Sequence, residues 1–374
     1  MEYEDHIDRI ADEENDEFSN DDLFNITSWG ADPSVRELIM QYKEGDIEKP
    51  ELQRKYVWKK KDASRFIESL LLGLPVPSIF LANMEPSGKR LIIDGYQRIR
   101  TLYDYIEEGI WHGDDSEFKL VNSDLINERW RGKAFNELPE ADKRRLKNYT
   151  IHAIIFEQKH PSDDSGLFQV FERINTSGTS LNNQEIRNCV YQGAMNTLLF
   201  SLNTNNHWRI LFGDFVEDNR MIDLEFILRF FAMNTPDVYN STSKQVSLKQ
   251  LLNKYMQSNR ILSDAEIAAK TSIFNNTISF IYDAYGEEAF FNLQKDLSKI
   301  RRKFHPAVFD SIMIATAIAL SRGYTNNDNS LIQKRSNLLL DQEYRNSIMQ
   351  ATMQVSNIHS RIARALYFLY DMEL

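Results

Sequence analysis

The sequence predicts an α+β fold, with a small domain of strands and helices over residues 30–160 followed by an all-helical domain over 161–374. Three observations carry this expectation. Strand-like runs at 78–82, 90–93 and 150–156 alternate with segments of helical periodicity. From about residue 164 onward the apolar spacing is almost entirely helical. Residues 1–22 hold eleven acidic side chains opposed only by Arg9, so they carry −10 of the net charge of −11. A like-charged block with so few apolar groups cannot repay its ordering entropy, and residues 1–29 are expected to form a disordered acidic tail. It reads as a solubilising tail, with a partner-binding or DNA-mimicking segment as the alternative.

The elements follow in order. The first helix is placed at Asp32-Pro33, a cap residue followed by a proline suited to the first turn. Val35, Leu38, Ile39 and Tyr42 share one face, and Gly45 marks the exit. A second helix spans about 62–72, with Phe66, Ile67, Leu70 and Leu71 apolar and Gly73 after it. The runs Ser78–Ala82 and Arg90–Ile93, joined across Glu85-Pro86-Ser87-Gly88, read as a hairpin. A helix over 97–107 turns Ile99, Leu102, Tyr103 and Ile106 inward and ends at Gly109. Residues 111–148 read as polar and irregular, with basic clusters at 129–133 and 143–145, before the strand at 150–156. In the second domain helices are expected at 222–233, 265–284, 308–321 and 354–370, with polar breaks near 234–247 and 322–330. Phe226, Ile227, Phe230, Phe231, Met313, Leu320, Leu366 and Phe368 are enough for a core of its own or a subunit interface.

Composition narrows the function classes. The single cysteine, Cys189, excludes an internal disulfide and a Cys-rich zinc site. No apolar run approaches a membrane span and the N-terminus is acidic rather than signal-like, so a cytoplasmic protein with no membrane partner is expected.

The chemistry centres on Asp94-Gly95-Tyr96-Gln97-Arg98, at a strand-to-helix junction. Gly95 permits a tight turn, and the helix start presents N–H groups and a positive dipole end to an anion. Arg98 could grip a phosphate through two parallel bonds, and Asp94 could hold a magnesium ion or cap the helix. A capped corner with a salt-bridged arginine would have the same composition.

The neighbouring residues extend the pattern. Gln53-Arg54-Lys55-Tyr56-Val57-Trp58, the run from Ile67 to Ser78, Ile93–Arg98, and the block Phe171-Glu172-Arg173-Ile174-Asn175-Thr176-Ser177-Gly178 with Gln184-Glu185-Ile186-Arg187 resemble, in order, the N-terminal domain of GmrSD-type modification-dependent restriction endonucleases. That family's signature is D-G-Q-Q-R, and the matching blocks run from about 34 to 188. The resemblance implies a ParB/sulfiredoxin-like domain over 30–160 that binds a nucleoside triphosphate, GTP or ATP, with Mg2+ as a candidate companion. It implies Asp94 and Arg98 as candidate catalytic residues. Gln53, Arg54, Gly95, Tyr96, Gln97, Arg98, Arg173, Asn175, Thr176, Ser177 and Gly178 are the implied nucleotide-binding set, with the 175–178 loop alternatively a plain helix–loop–helix corner. Two residues depart from the pattern: Tyr96 replaces the first signature glutamine, and Arg100 stands where a small polar residue is usual. Loss of an amide that orients water leaves hydrolysis less secure than binding.

Full-length relatives often add a His-Asn-His nuclease domain. The seven histidines here include no pair at ligand spacing, and Walker A, G-x-S-x-G and C-x-x-C motifs are absent. Cutting is therefore expected of a separate effector protein. DNA contact is open through Lys55, Trp58, Lys59, Lys60 and Lys61, a basic-aromatic mix suited to phosphates and stacking. Arg301-Arg302-Lys303 is a further basic run, and a homo-oligomer is left open. The expected function is an NTP-binding and NTP-hydrolysing sensor subunit of a bacterial restriction or anti-phage system. The alternatives are a non-catalytic DNA-binding or adaptor protein on the same fold, and a toxin or inhibitor component with a partner.

Overall fold

Alternating apolar residues set a mixed sheet at the centre of the N-terminal part. The computed structural model describes residues 7–8, 26–48, 56, 58–84, 88–112, 114–158, 165–174, 182–218, 220–241, 243–294, 296–325 and 330–374. The chain divides into two compact units, 20–190 and 191–374, the second joined by residues 1–19. The division falls after Val190 rather than after 160, because the helices at 165–190 group with the sheet. Among the described residues no helix is long and apolar enough to cross a membrane.

The first unit contains β1 (Ile26–Ala31), α1 (Val35–Glu44), β2 (Ile47–Glu48), α2 (Lys60–Leu72), β3 (Ile79–Met84), β4 (Lys89–Asp94) and α3 (Tyr96–Tyr103). The short strands β5 (Ile110–Trp111) and β6 (Ser116–Glu117), then α4 (Glu140–Asn148), β7 (Ala153–Gln158), α5 (Ser165–Ile174) and α6 (Asn183–Val190) complete it. The five-stranded sheet runs β1-β7-β3-β4-β2. β3 and β4 form the expected antiparallel hairpin, whereas β3 runs parallel to β7 and β2 parallel to β4. Ile79, Leu81, Ile92, Ala153 and Ile155 point to one face, where they pack with Leu38 and Ile39 of α1, Ile67, Leu70 and Leu71 of α2, and Ile99 and Leu102 of α3. Phe80 stacks on Phe156 on the other face.

Three expectations change here. β1 starts at Ile26, inside the expected tail, and pairs with β7 from Ile26↔Gln158 to Ala31↔Ala153. It is an edge strand with four exposed positions out of six, so main-chain pairing holds it and side-chain burial gives little signal. Residues 111–148 are largely irregular as far as α4, as expected, but they are not simply polar. Trp111, Phe118, Leu120, Ile126, Trp130, Phe135 and Leu138 are buried at spacings that fit neither period. The basic cluster at 129–133 is partly consumed by this packing. Arg129 places Nε and Nη2 each 2.7 Å from the Asp142 carboxylate, and Trp130 Nε1 donates to the same group at 2.8 Å. α1 also begins later than expected, with Ser34 as its cap and Glu37 closing a reciprocal capping box.

The second unit is helical apart from one hairpin. Its longer helices are α7 (Ala194–Asn203), α8 (Asn206–Phe212), α9 (Ile222–Met233), α10 (Leu248–Ser258), α11 (Asp264–Tyr285), α12 (Pro306–Ser321), α13 (Leu331–Leu340), α14 (Gln342–Met349) and α15 (Val355–Tyr370). β8 (Phe291–Leu293) and β9 (Ile300–Phe304) form the hairpin. Phe226, Ile227, Phe230, Phe231, Met313 and Leu366 are buried in its core, whereas Leu320 and Phe368 are half-buried. Inside that core Asp310 receives both Nε and Nη2 of Arg229 at 2.6 Å and Nη2 of Arg361 at 3.2 Å. All three side chains are at most 2% exposed. His305 caps α12 through Nδ1, which accepts from Val308 N, so this histidine serves the fold.

Removing the central carboxylate leaves two buried guanidinium groups without their counter-charge. Asp310→Ala is expected to lower the unfolding free energy by about 3–5 kcal/mol, read from urea denaturation. A loss under about 1 kcal/mol, the range of an exposed pair, would contradict this account.

Candidate functional site

β4 ends at Asp94, Gly95 turns the chain, and α3 begins at Tyr96. Gly95 has φ 104° and ψ 6°, the left-handed region, and it serves as the cap without a side chain. A Cβ built there would lie 2.6 Å from Ile79 Cγ2, so both backbone and packing demand glycine. Opposite the turn β3 carries a register shift between Phe80 and Leu81, and Phe80 pairs with Asp94. The first helical bond runs from Ile99 N to Gly95 O at 3.0 Å, so the amides of 96–98 lie ahead of the ladder at the positive end of α3.

Arg98 reaches back to Asp94, with Nη2 2.6 Å from Oδ2. The arginine side chain is 10% exposed and the aspartate 45%. The corner is thus salt-bridged, and a phosphate at the helix start would share Arg98 with Asp94. Gln97 is half-buried, and its Oε1 accepts from Trp58 N at 3.3 Å. One turn on, Thr101 donates to Gln97 O at 2.7 Å and its hydroxyl lies 2.6 Å from that of Tyr56. The 53–58 and 94–98 blocks therefore meet through Tyr56 and Trp58. These two rings are half-buried, Trp58 edge-on to Phe66 and Tyr56 edge-on to Trp111 and His112.

Of the other candidates, Lys59 and Lys61 are exposed at the start of α2, whereas Lys60 bonds Ser116 Oγ at 3.4 Å and Glu117 O at 3.3 Å. Arg173 is exposed in the last turn of α5. Gln53, Arg54, Lys55, Asn175, Thr176, Ser177 and Gly178 lie outside the described residues. Among the described residues no group of three or more His, Cys, Asp or Glu side chains is placed to hold a metal. A magnesium ion here would take ligands mainly from phosphate oxygens and water, with Asp94 as the nearest carboxylate.

Two polar clusters were not anticipated from the sequence. On α6, Arg187 Nη1 donates to Gln184 Oε1 at 2.8 Å, and Gln184 Nε2 donates to Asn188 Oδ1 at 3.0 Å. All three are buried, and Asn182 caps the helix by accepting from Glu185 N at 2.8 Å. Polar residues at i, i+3 and i+4 normally signal a solvated face, so the only sequence signal was the family block that contains them. The second cluster lies on the concealed side of α3. Tyr96 is 8% exposed and hydrogen-bonds Tyr42, which also bonds Arg100. Arg100 Nε lies 2.7 Å from Asp104, whose carboxylate is fully buried in a π-helical turn over Asp104–Glu108. His112 Nδ1 lies 3.6 Å from the same carboxylate. Burial raises the Asp104 carboxyl from 3.8 to about 7, against the opposing pull of Arg100.

Two outcomes test this geometry. Gly95→Ala is expected to cost at least about 2 kcal/mol of stability, from positive φ plus the clash, and Gly95→Ala with Ile79→Ala should lose less than the sum of the single losses. Additive losses in denaturant titrations would remove Ile79 from the explanation. The folded protein holds the Asp104 proton more tightly than the unfolded chain, so stability from this group is present below 3.8 and declines as pH rises towards and through about 7. Asp104→Asn should flatten that decline in urea midpoints measured across pH, and an unchanged slope would count against it.

Residues 35–192 match the family model described as GmrSD restriction endonuclease, N-terminal domain. The match opens with α1, ends just beyond α6, and contains Trp58, the 94–98 turn and the α6 cluster. No curated protein matches the chain. Over residues 35–192 the chain thus carries a domain of the GmrSD restriction endonuclease N-terminal family, and the protein is related to restriction systems.

Proposed function

We propose that this protein is a nucleoside triphosphate-binding sensor subunit of a restriction system, acting with a separate effector protein. The phosphates of GTP or ATP sit at the start of α3, on the amides that follow Gly95, with Arg98 supplying the charge. The observation that carries this reading is the meeting of the 53–58 and 94–98 blocks, through Gln97 with Trp58 N and Thr101 with the Tyr56 hydroxyl. Two sequence-distant parts of the matched domain thereby support one glycine-led helix start. Arg98 is nine-tenths buried and held by Asp94, which pre-orients its fork. In this proposal the domain is ParB/sulfiredoxin-like and Asp94 accompanies Mg2+. Effector gating follows nucleotide binding or turnover.

A second reading has one observation in its favour. Tyr96, in the place of the first signature glutamine, is turned into the fold against Tyr42 and offers no amide to orient water. A non-catalytic adaptor that binds nucleotide without turning it over would look like this.

Calorimetric titration with GTP, ATP and CTP, with and without magnesium, tests the first reading. Binding of at least one is expected, and Arg98→Ala should weaken it by about tenfold or more, or roughly 1.4 kcal/mol. Arg98→Lys keeps the charge without the fork and should recover only part of the loss. Absence of binding by protein with native circular dichroism would refute the proposal, and binding without phosphate release would select the adaptor.

A further inference from the structure

The N-terminal acidic segment touches the helical unit at a defined place. Ile7 forms a parallel bridge with Phe304, and Asp8 N donates to Phe304 O at 2.8 Å. The segment thereby extends the β8–β9 hairpin along the free edge of β9. Asp8 is 8% exposed, and its Oδ1 lies 2.7 Å from Arg301 Nη1. Lys303 also acts on this carboxylate, and burial outweighs both cations to raise its pKa.

The receiving edge is rigid and basic. Phe304 packs against Trp208, Phe212, Phe226, Phe290 and Phe309. Arg335 donates to the main-chain oxygens of Ala289 and Phe291, at 3.0 and 2.7 Å, and so pins the base of the hairpin. Lys299, Arg301, Arg302 and Lys303 fall within five residues, and no carboxylate occurs between Leu297 and His305. Lys299, Arg301 and Arg302 are exposed. Arg302 is 83% exposed at the side chain and only 3.5 Å from Glu288.

We infer that this basic edge is a binding surface for the phosphates of double-stranded nucleic acid, and that the acidic N-terminal segment occupies it as an internal competitor. The contact is built to be displaced. Among the described residues it consists of one main-chain bridge and one ion pair whose arginine is half-exposed, and each is weak by itself. Residues 1–22, Asp8 included, carry −10, the charge pattern of a polyanion mimic. Duplex DNA offers one negative charge per about 1.7 Å and releases counterions on binding, which favours it over a peptide carboxylate run at low salt. This surface belongs to the helical unit and does not depend on the nucleotide reading.

The test is fluorescence anisotropy of a labelled duplex of about 20 base pairs at low ionic strength, with full-length protein. The tail variant carries Asp8→Asn together with Asp12→Asn, Glu13→Gln, Glu14→Gln, Asp16→Asn and Glu17→Gln. It should bind about tenfold or more tightly than the parent, with a steeper dependence of log Kd on log salt. Adding Arg301→Glu and Arg302→Glu should return it to the parental affinity or below. Hydrogen exchange at the β9 amides, faster in Asp8→Asn than in the parent, reports release of the segment independently of DNA. Unchanged DNA affinity in the tail variant overturns the inference, as does a gain that survives the two charge reversals. A synthetic peptide of residues 1–22 that binds the tail variant without competition from DNA would instead assign the edge to an acidic peptide partner. Nucleotide titrations of these variants should match the parent, which separates this inference from the proposal for the 94–98 turn.

Discussion

The matched domain turns on one steric constraint, the absence of a side chain at residue 95. With φ at 104° and Ile79 Cγ2 within 2.6 Å of where a Cβ would stand, the chain can leave β4 and enter α3 without a loop. That economy fixes the remaining geometry of the corner. Asp94 and Arg98 fall one helical turn apart and meet at 2.6 Å, Gln97 faces Trp58, and Thr101 faces Tyr56. A longer connection would keep the same residues but lose the register that brings them together. The register shift in β3 opposite Asp94 fits the same picture, since a bulge re-aims a strand end without ending its pairing.

The far side of α3 shows why the corner holds its shape. Tyr42, Tyr96, Arg100 and Asp104 form a polar chain from α1 through α3 into its π-helical extension, with Tyr96 and Asp104 buried, Tyr42 and Arg100 half-buried, and His112 at its outer end. Burying a carboxylate costs several kcal/mol unless it is neutralised by a partner or by a proton. Here burial dominates, and the Asp104 carboxyl moves up to about 7 in spite of Arg100. The two residues that depart from the family signature, Tyr96 and Arg100, both belong to this chain. They act as a pair: Tyr96 fills the space beneath the helix, and Arg100 faces the acid that its burial isolates. The departure therefore affects the support of the turn more directly than the surface that faces a ligand.

Local features of the fold were legible in the sequence and tertiary ones were not. Gly45, Gly73 and Gly109 end helices in the left-handed conformation, and each was readable because the requirement is local. The Val35, Leu38, Ile39 face and the β3–β4 hairpin were readable because one period dominates each. β1 was missed because an edge strand is held by main-chain bonds that leave no apolar signature. The packing of residues 111–148 was missed because a few large side chains, Trp111, Trp130 and Phe135 among them, stabilise a connection with no period. The placement of 165–190 with the sheet could not be read either, since helical spacing says that a face is buried and not what buries it. At the 94–98 turn, the strand-to-helix junction and a salt-bridged Arg98 were readable from residue types in sequence. The burial of Arg187, Gln184 and Asn188 was hidden, because buried and solvated polar residues have the same composition.

Arginines in this chain serve three different ends, and the difference lies in what surrounds them. Arg229 and Arg361 share one carboxylate in a dry core, where the cost of stripping water is met only by near-ideal geometry at Asp310. Arg98 is nearly as buried, yet its partner Asp94 remains 45% exposed, so one end of that pair still opens to solvent. Arg301 is half-exposed over the buried Asp8, at the edge of β9. Exchange of partners becomes easier along this series because less desolvation has been committed to each pair. The triad at Asp310 is closed to exchange by its burial, whereas the pairs at 98 and 301 are the ones for which we propose exchange of a carboxylate for a phosphate. The charges proposed for recognition therefore belong to pairs in which one member, Asp94 or Arg301, is within reach of water.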